Sequence, residues 1–247
     1  MKSKFLKKII GLFGYKLVEK DLIKNQRELS AGTILNMKNF LDYYFDQNNI
    51  SNLIQIGAND GKRHDHLNYF IKKFKINSVL VEPITDCFNE LKKNYLDCNF
   101  VKLENSAIGV NNELSYLFQV NKKGLNFYHD DIKGLNSFDI NHLLKHGVKK
   151  KHINKTKISS ISILELIKKY NINQLDLLCV DTEGYDDKIV NEFLISTNLK
   201  PLIIFEYIHI KNKSLKELLN LLNTKKYKFF SIKEDLICFP SDKKFLF

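Results

Sequence analysis

The chain has 247 residues, 44% of them hydrophobic, and a formal net charge of +11. A domain of this size buries roughly 70–75% of the surface its unfolded chain exposes, so one large domain is expected, with no disulfide or metal staple. The composition excludes a disordered or low-complexity chain. The positive charge suits nucleic acid, an anionic membrane surface or a phosphorylated substrate, and equally a dispersed set of solvated lysines.

Cys87, Cys98, Cys179 and Cys238 form neither a CxxC nor a Cys/His ligand spacing, and Cys179 sits in an apolar run. That pattern suits a reducing compartment, so a cytoplasmic protein is expected. No apolar run is long enough to span a membrane. At the N-terminus Phe5, Leu6, Ile9, Ile10 and Phe13 recur at helical spacing, with Lys4, Lys7 and Lys8 among them and no small-residue cleavage site after them. Residues 1–48 are therefore expected to be a helical segment. It either docks on its own domain or a second subunit, giving a homo-oligomer, or rests on the inner face of a membrane.

From residue 49 onward β-type runs alternate with helical patterns. Ser51–Ile56 reads as a buried strand ending in a glycine-rich turn. A helix carrying Leu67, Phe70, Ile71 and Phe74 inward follows, then a strand over Asn77–Glu82 stopped by Pro83. Asp86–Tyr95 reads as a helix, Asn99–Leu103 as a strand, and Leu114–Val120 as an extra strand. The stretch 121–157 is irregular, and a connection this long is usually functional, so a lid carrying a short helix near Asp139–His146 is expected. Ser160–Tyr170 reads as a helix, Leu175–Asp181 as a strand and Tyr185–Ile195 as a helix. Leu202–Tyr207 reads as a strand, and Ser214–Leu222 as a helix that Ser214 can cap, with Glu217 three residues on. Lys226–Ile232 and Asp235–Phe239 close as a hairpin. Repeated strand–helix units imply an α/β fold: a mostly parallel sheet with right-handed crossovers, helices on both faces and an antiparallel C-terminal edge.

The sharpest signal is Gln55-Ile56-Gly57-Ala58-Asn59-Asp60-Gly61, directly after the first strand. Ligands of such sheets bind beyond the C-terminal strand ends, where strand order reverses. Gly57 and Gly61 let the backbone turn tightly beside a ligand. Glu82, about twenty residues on, ends the second strand, where a carboxylate accepts hydrogen bonds from ribose hydroxyls. The turn is not GxGxxG, which argues against a pyrophosphate-bearing dinucleotide.

Four motifs in order, Gly57-Ala58-Asn59-Asp60-Gly61, Val81-Glu82-Pro83, Asn105-Ser106-Ala107-Ile108 and Asp181-Thr182-Glu183-Gly184-Tyr185-Asp186, resemble the FkbM family of methyltransferases. The resemblance runs from about residue 50 to 240. It implies a Rossmann-like class I fold with a seven-stranded sheet, S-adenosylmethionine as cofactor, and methyl transfer to a hydroxyl, often of a sugar or natural product. By that resemblance Gly57–Gly61 would line the methionine part of the cofactor, Glu82 would hold the ribose, and Asn105, Ser106 and Ala107 would border the adenine. Asp181 would lie close to the methionine end. Where the family often carries Asp, this chain has Gln55, which keeps hydrogen-bonding capacity without charge.

A sugar hydroxyl is a poor acid, so a general base or a metal would assist its methylation. Asp181 and Glu183 flank one strand end, and Glu206 and His209 lie at the next. His209 is the candidate base, oriented by Asp181 or Glu206. Alternatively Asp181, Glu183 and Glu206 hold Mg²⁺, or Glu183 caps the following helix. Ser137, Phe138, His142, Lys145 and His146 in the lid, with Glu183, are candidate acceptor contacts. His142 and His146 fall on one helical face, a spacing that also suits zinc, but no HExxH is present. Lys145, Lys149, Lys150 and Lys151 either meet a phosphate on the substrate or form a solvated charge run. The expected acceptor is a sugar or glycan, nucleotide-linked, lipid-linked or polymeric, with surface polysaccharide or glycolipid assembly as the setting. A nucleic-acid methyltransferase is the rival reading. Against it, the acidic Asp181–Gly184 stretch stands where base-nitrogen methylating enzymes often carry Asn-Pro-Pro-aromatic. A non-catalytic module that kept the cofactor fold is the other rival, supported by Gln55.

Overall fold

A computed structural model describes residues 36–242 except 64, 110–115, 130–131 and 133–135. The chain divides into two compact units, Met1–Tyr44 and Phe45–Phe247. The amphipathic segment expected near the N-terminus lies outside the described residues. Helix α1, Met37–Gln47, begins where Asn36 Oδ1 accepts the Asn39 N–H at 2.9 Å.

The second unit is built on seven strands: β1 (Asn52–Ile56), β2 (Asn77–Val81), β3 (Val101–Glu104), β9 (Leu177–Val180), β10 (Leu202–Glu206), β11 (Tyr227–Ile232) and β12 (Asp235–Pro240). Their order across the sheet is β11-β12-β10-β9-β1-β2-β3. The first five in sequence are mutually parallel, and β12 is antiparallel to both β10 and β11. The chain grows outward from β1 through β2 to β3, then returns to β1's other side as β9 and β10. The reversal falls between β1 and β9, and that is where such sheets open a crevice.

Side chains alternate across the sheet. Ile54, Ile56, Val79, Val81, Leu178, Val180, Ile203 and Phe205 join one apolar cluster with α5 (Ile163–Lys169), α6 (Asp186–Ser196) and α7 (Asn212–Thr224). Phe193 of α6 is fully buried there. The alternate residues Leu53, Gln55, Leu80 and Leu177 face the other side, where α2 (Asn68–Phe74) and α3 (Thr85–Asn94) supply the buried Phe70, Ile71 and Leu91. Right-handed crossovers account for helices on both faces. Asp176 fixes the start of β1 by accepting the Ser51 and Asn52 N–H groups at 2.9 and 3.0 Å.

Three readings need correction. The stretch 121–157 is not merely irregular: β6 (Asn136–Ser137) and β7 (Ile153–Lys157) both pair antiparallel with β5 (Tyr116–Val120) in a separate three-stranded sheet. Its polar, alternating strands carry little apolar signal. It bears the short helix expected near Asp139–His146, α4 (Ile140–Lys145), which Asp139 caps by accepting the Asn141 N–H. Ser160 does not open a helix. With Ile161 it forms β8, parallel to β4 (Ala107–Ile108), and Ser162 caps α5 in a reciprocal capping box with Glu165. Ser214 does not cap α7, which already begins at Asn212 after Lys211.

The switch point leaves no room for a side chain. Gly57 has φ +85°, and a Cβ there would collide with the carbonyl oxygen of Asp181. Gly147 has a similar φ of +82° but open space around it. Replacing either by Ala costs on the order of 1–3 kcal/mol of conformational strain. Only Gly57→Ala adds a backbone collision. Thermal denaturation is therefore expected to show a much larger loss of Tm for Gly57→Ala than for Gly147→Ala, whereas equal losses would mean the two strand ends are not in contact.

Candidate functional site

The turn after β1 is held by its own backbone. The Gly57 and Ala58 N–H groups both donate to the Val81 carbonyl, at 2.9 and 3.0 Å, and Asp181 N–H donates to Ile56 at 2.9 Å. Glu82, immediately after β2, is buried, and its two oxygens accept the N–H groups of Asn59 and Ile84 at 2.9 Å each. Asn105 Nδ2 donates to the Glu82 carbonyl at 2.8 Å, joining the third strand end to the second. Glu82 and Asn105 are thus brought together with the Gly57–Gly61 turn at one rim.

Other residues of the turn serve it internally. Asp60 accepts the Lys62 and Arg63 N–H groups and the Arg63 Nε, the last at 2.6 Å. Burial opposes its charge, but the Arg63 contacts prevail and hold its carboxyl below the ordinary range. Gly61 packs against Leu91 and Tyr95. Ala58, Ser106 and Ala107 are buried, and Ala107 N–H donates to Ser159 at 2.8 Å in the small β4–β8 sheet. Gln55 is buried on the α2 face. Its Nε2 donates to Asp65 at 3.2 Å, and its Oε1 has no hydrogen-bond partner. Asp65, which no motif singles out, also accepts the Leu67 and Asn68 N–H groups at the start of α2.

The rim formed by β9 and β10 is acidic. Glu183 does not cap α6. Instead fully buried Asp186 folds the Thr182–Gly184 turn, accepting the Thr182 N–H, the Thr182 hydroxyl and the Gly184 N–H at 3.0–3.2 Å. Glu183 is held at φ +55°. Burial, with the charge of Asp181 added, raises Asp186 and Glu183 to about 7. The same two causes, joined by Glu183, Asp186 and Glu234, raise Glu206 to about 9. Burial likewise raises Glu82 to about 7.

His209 sits within this acid group, its Nε2 3.6 Å from Glu183 Oε2 and 3.7 Å from Glu206 Oε1. Helix α4 and its C-cap residue add two more imidazoles, His142 and His146. His142 Nε2 lies 3.9 Å from Glu183 Oε2, and its ring centroid is 4.8 Å from His146 and 4.7 Å from His209. The structure therefore unites Glu183, Glu206, His142, His146 and His209. The expected carboxylate triad for Mg²⁺ is only partly assembled: among the described residues Asp181 belongs to neither group of clustered metal-type donors. Ser137 is buried and accepts the Asp139 N–H at 3.2 Å, and Phe138 packs edge-on against Tyr185 at 5.5 Å, so both serve the lid's seating. Lys145 is exposed. A cavity of about 390 Å³, lined by Asn52, Asn77, Phe100 and Tyr170 among others, lies at the opposite, N-terminal strand ends.

A crevice at this strand order's reversal, floored by a glycine turn and flanked by a strand-end glutamate, defines a Rossmann-like class I methyltransferase. The model of the methyltransferase FkbM domain matches residues 55–229, and the chain belongs to that family. It is an S-adenosylmethionine-dependent methyltransferase. Similar solved structures include an FkbM methyltransferase from Methylobacillus flagellatus KT, at 15% identity and TM-score 0.47, covering 77% of this chain and 43% of that one. Another is the N-terminal domain of human METTL16 in complex with SAH, at 13% identity and TM-score 0.41, covering 83% and 70%. A third is a Methanococcus jannaschii fibrillarin pre-rRNA processing protein, at 12% identity and TM-score 0.40, covering 76% and 65%. Among curated proteins none matches the sequence. No described helix is long and apolar enough to cross a membrane.

Asp186 provides a pH test of the acidic rim. Its folded pKa of about 7 exceeds its ordinary value of 3.8, so between those values the native state holds a proton that the unfolded state has released. Its contribution to stability falls as pH rises through that window and is flat above it. The difference in Tm between Asp186→Asn and wild type should therefore shift in favour of the variant from pH 4 to 7 and then level off. Histidine contributions cancel in that difference. A difference that does not change with pH would show Asp186 to be an ordinary, ionised carboxylate.

Proposed function

We propose that this FkbM-type methyltransferase methylates a hydroxyl of a sugar or glycan, nucleotide-linked, lipid-linked or polymeric. The observation that carries the reading is the meeting of His209 with Glu183 and Glu206 within 4 Å at the strand-end rim, beside the glycine turn. Hydroxyl methylation needs alignment and a proton acceptor, and this rim supplies both.

The residues at the crevice suit S-adenosylmethionine. Glu82 retains lone pairs beyond the two backbone bonds it accepts, so it can hold two ribose hydroxyls as well. The partnerless, buried Gln55 Oε1 offers an acceptor to the ammonium group. Asn105, Ser106 and Ala107 border the adenine side, and Asp181 the methionine end. Bound there, the sulfonium supplies the electrophilic methyl group. His209 accepts the hydroxyl proton in the cation-free protein. Burial, with His146 beside it, lowers its pKa, which keeps the ring neutral and able to do so. Glu183, raised only to about 7, is the carboxylate that stabilises the imidazolium that results. The lid helix stands over this rim and would bound the acceptor pocket through His142 and His146.

The acidic rim disfavours an RNA acceptor, since carboxylates would face the phosphates. Mg²⁺ prefers an all-oxygen shell, and the imidazoles in this cluster disfavour it. The test is a screen of nucleotide sugars, lipid-linked glycans, RNA and protein with methyl-labelled cofactor, read by mass spectrometry. A glycan ether is the expected product, and methylation of RNA or protein alone would overturn the reading. On the glycan acceptor, His209→Ala should lower kcat by roughly 10²–10⁴, the usual contribution of a general base, with cofactor affinity unchanged.

A further inference from the structure

The three imidazoles of the rim come from separate parts of the chain. His142 lies on α4, His146 is the residue that caps its C-terminus, and His209 follows β10. One ligand-type atom from each lies within 4.8 Å of the others, and Glu183, Glu206 and His209 satisfy the same criterion. The two groups share His209, and Glu183 Oε2 also lies 3.9 Å from His142 Nε2. Two of the donor atoms are orphans: His142 Nε2 and Glu206 Oε2 are shut off from solvent and make no hydrogen bond. Buried polar atoms without partners are rare and call for an explanation, and an ion is one of the few. Glu183 and Glu206 also sit among further carboxyls, yet among the described residues only histidines lie within ion-pair distance of them.

We propose that His142, His146 and His209 bind one divalent cation of the zinc type, with Glu183 as the carboxylate ligand, clamping the lid helix to the β9–β10 rim. The donor chemistry selects the ion. Imidazole suits zinc and its borderline neighbours, whereas magnesium takes oxygen ligands. Tetrahedral zinc with bonds of about 2.0–2.1 Å needs donors about 3.3 Å apart, so imidazoles within 4.8 Å of one another need close by up to about 1.5 Å. That is a side-chain adjustment on a short helix, not a refolding of the lid. In the loaded protein His209 would be a ligand rather than a base, and the four protein donors would fill a tetrahedral shell. The cation site itself rests on the donor geometry and does not require any particular acceptor.

The test uses full-length protein stripped with chelator, without cofactor or acceptor. Zn²⁺ binding is measured by calorimetry, and Co²⁺ replaces it as a probe whose visible spectrum reports nitrogen ligation. One equivalent per chain, a tetrahedral Co²⁺ spectrum and a rise in Tm with Zn²⁺ but not Mg²⁺ are expected. His146→Ala, at an exposed position, and His209→Ala should each weaken binding tenfold or more, while His129→Ala should leave it unchanged. Should His142→Ala fold poorly, the exposed His146→Ala still decides the question. Substoichiometric binding, binding indifferent to His146 and His209, or a preference for Mg²⁺ would each overturn the proposal. Because the readout is binding, its failure is distinguishable from failure to methylate a glycan.

Discussion

The backbone contact between the turn after β1 and the end of β9 is the constraint on which the site depends. Gly57 lies so close to the Asp181 carbonyl that no side chain fits between them. The same turn leans on β2 through the Val81 carbonyl, and Asp181 N–H closes the contact by donating to Ile56. Three strand ends are thereby locked at one rim, and they belong to strands that follow one another across the sheet rather than along the chain. Glu82 then binds the turn from the side through Asn59. Backbone contacts of this kind fix where the three strand ends stand relative to one another.

The second constraint is electrostatic. Asp181, Glu183, Asp186 and Glu206 converge where β9 and β10 end, and burial together with the charge of Asp181 raises the proton affinity of the other three. Such a cluster opposes folding unless protons, imidazoles or a cation relieve it. Asp186 gains from the arrangement by folding the Thr182–Gly184 turn around itself. Glu183 and Glu206 make no comparable bonds, and they face the histidines instead. The molecule thus separates a carboxylate that folds a turn from two that face histidines.

Much of the sheet was legible because its parallel strands are continuous apolar runs bounded by helical periodicity, as Leu177–Val180 and Leu202–Phe205 illustrate. The Gly57–Gly61 turn and Glu82 stood out because tight turns and strand-end acids have fixed residue requirements. The lid sheet was not legible. Asn136–Ser137 and Ile153–Lys157 are polar edge pairings whose stability comes from β5 rather than from local pattern. The convergence of His142 and His146 with His209 was hidden for the same reason, since only tertiary folding of the lid brings them together. Asp65 and Asp176 act through backbone N–H groups, and nothing in their immediate sequence announces that role.

The account stands most directly on cofactor binding at the Glu82 rim. Calorimetric titration of S-adenosylmethionine into wild type and Glu82→Gln, with Tm measured on both, is the decisive comparison. The fold and site described above predict saturable binding by wild type and a loss of about 1–3 kcal/mol in the folded variant, the range for a lost charge-assisted hydrogen bond. Equal affinity in the two proteins, or no binding by a folded wild type, would contradict it.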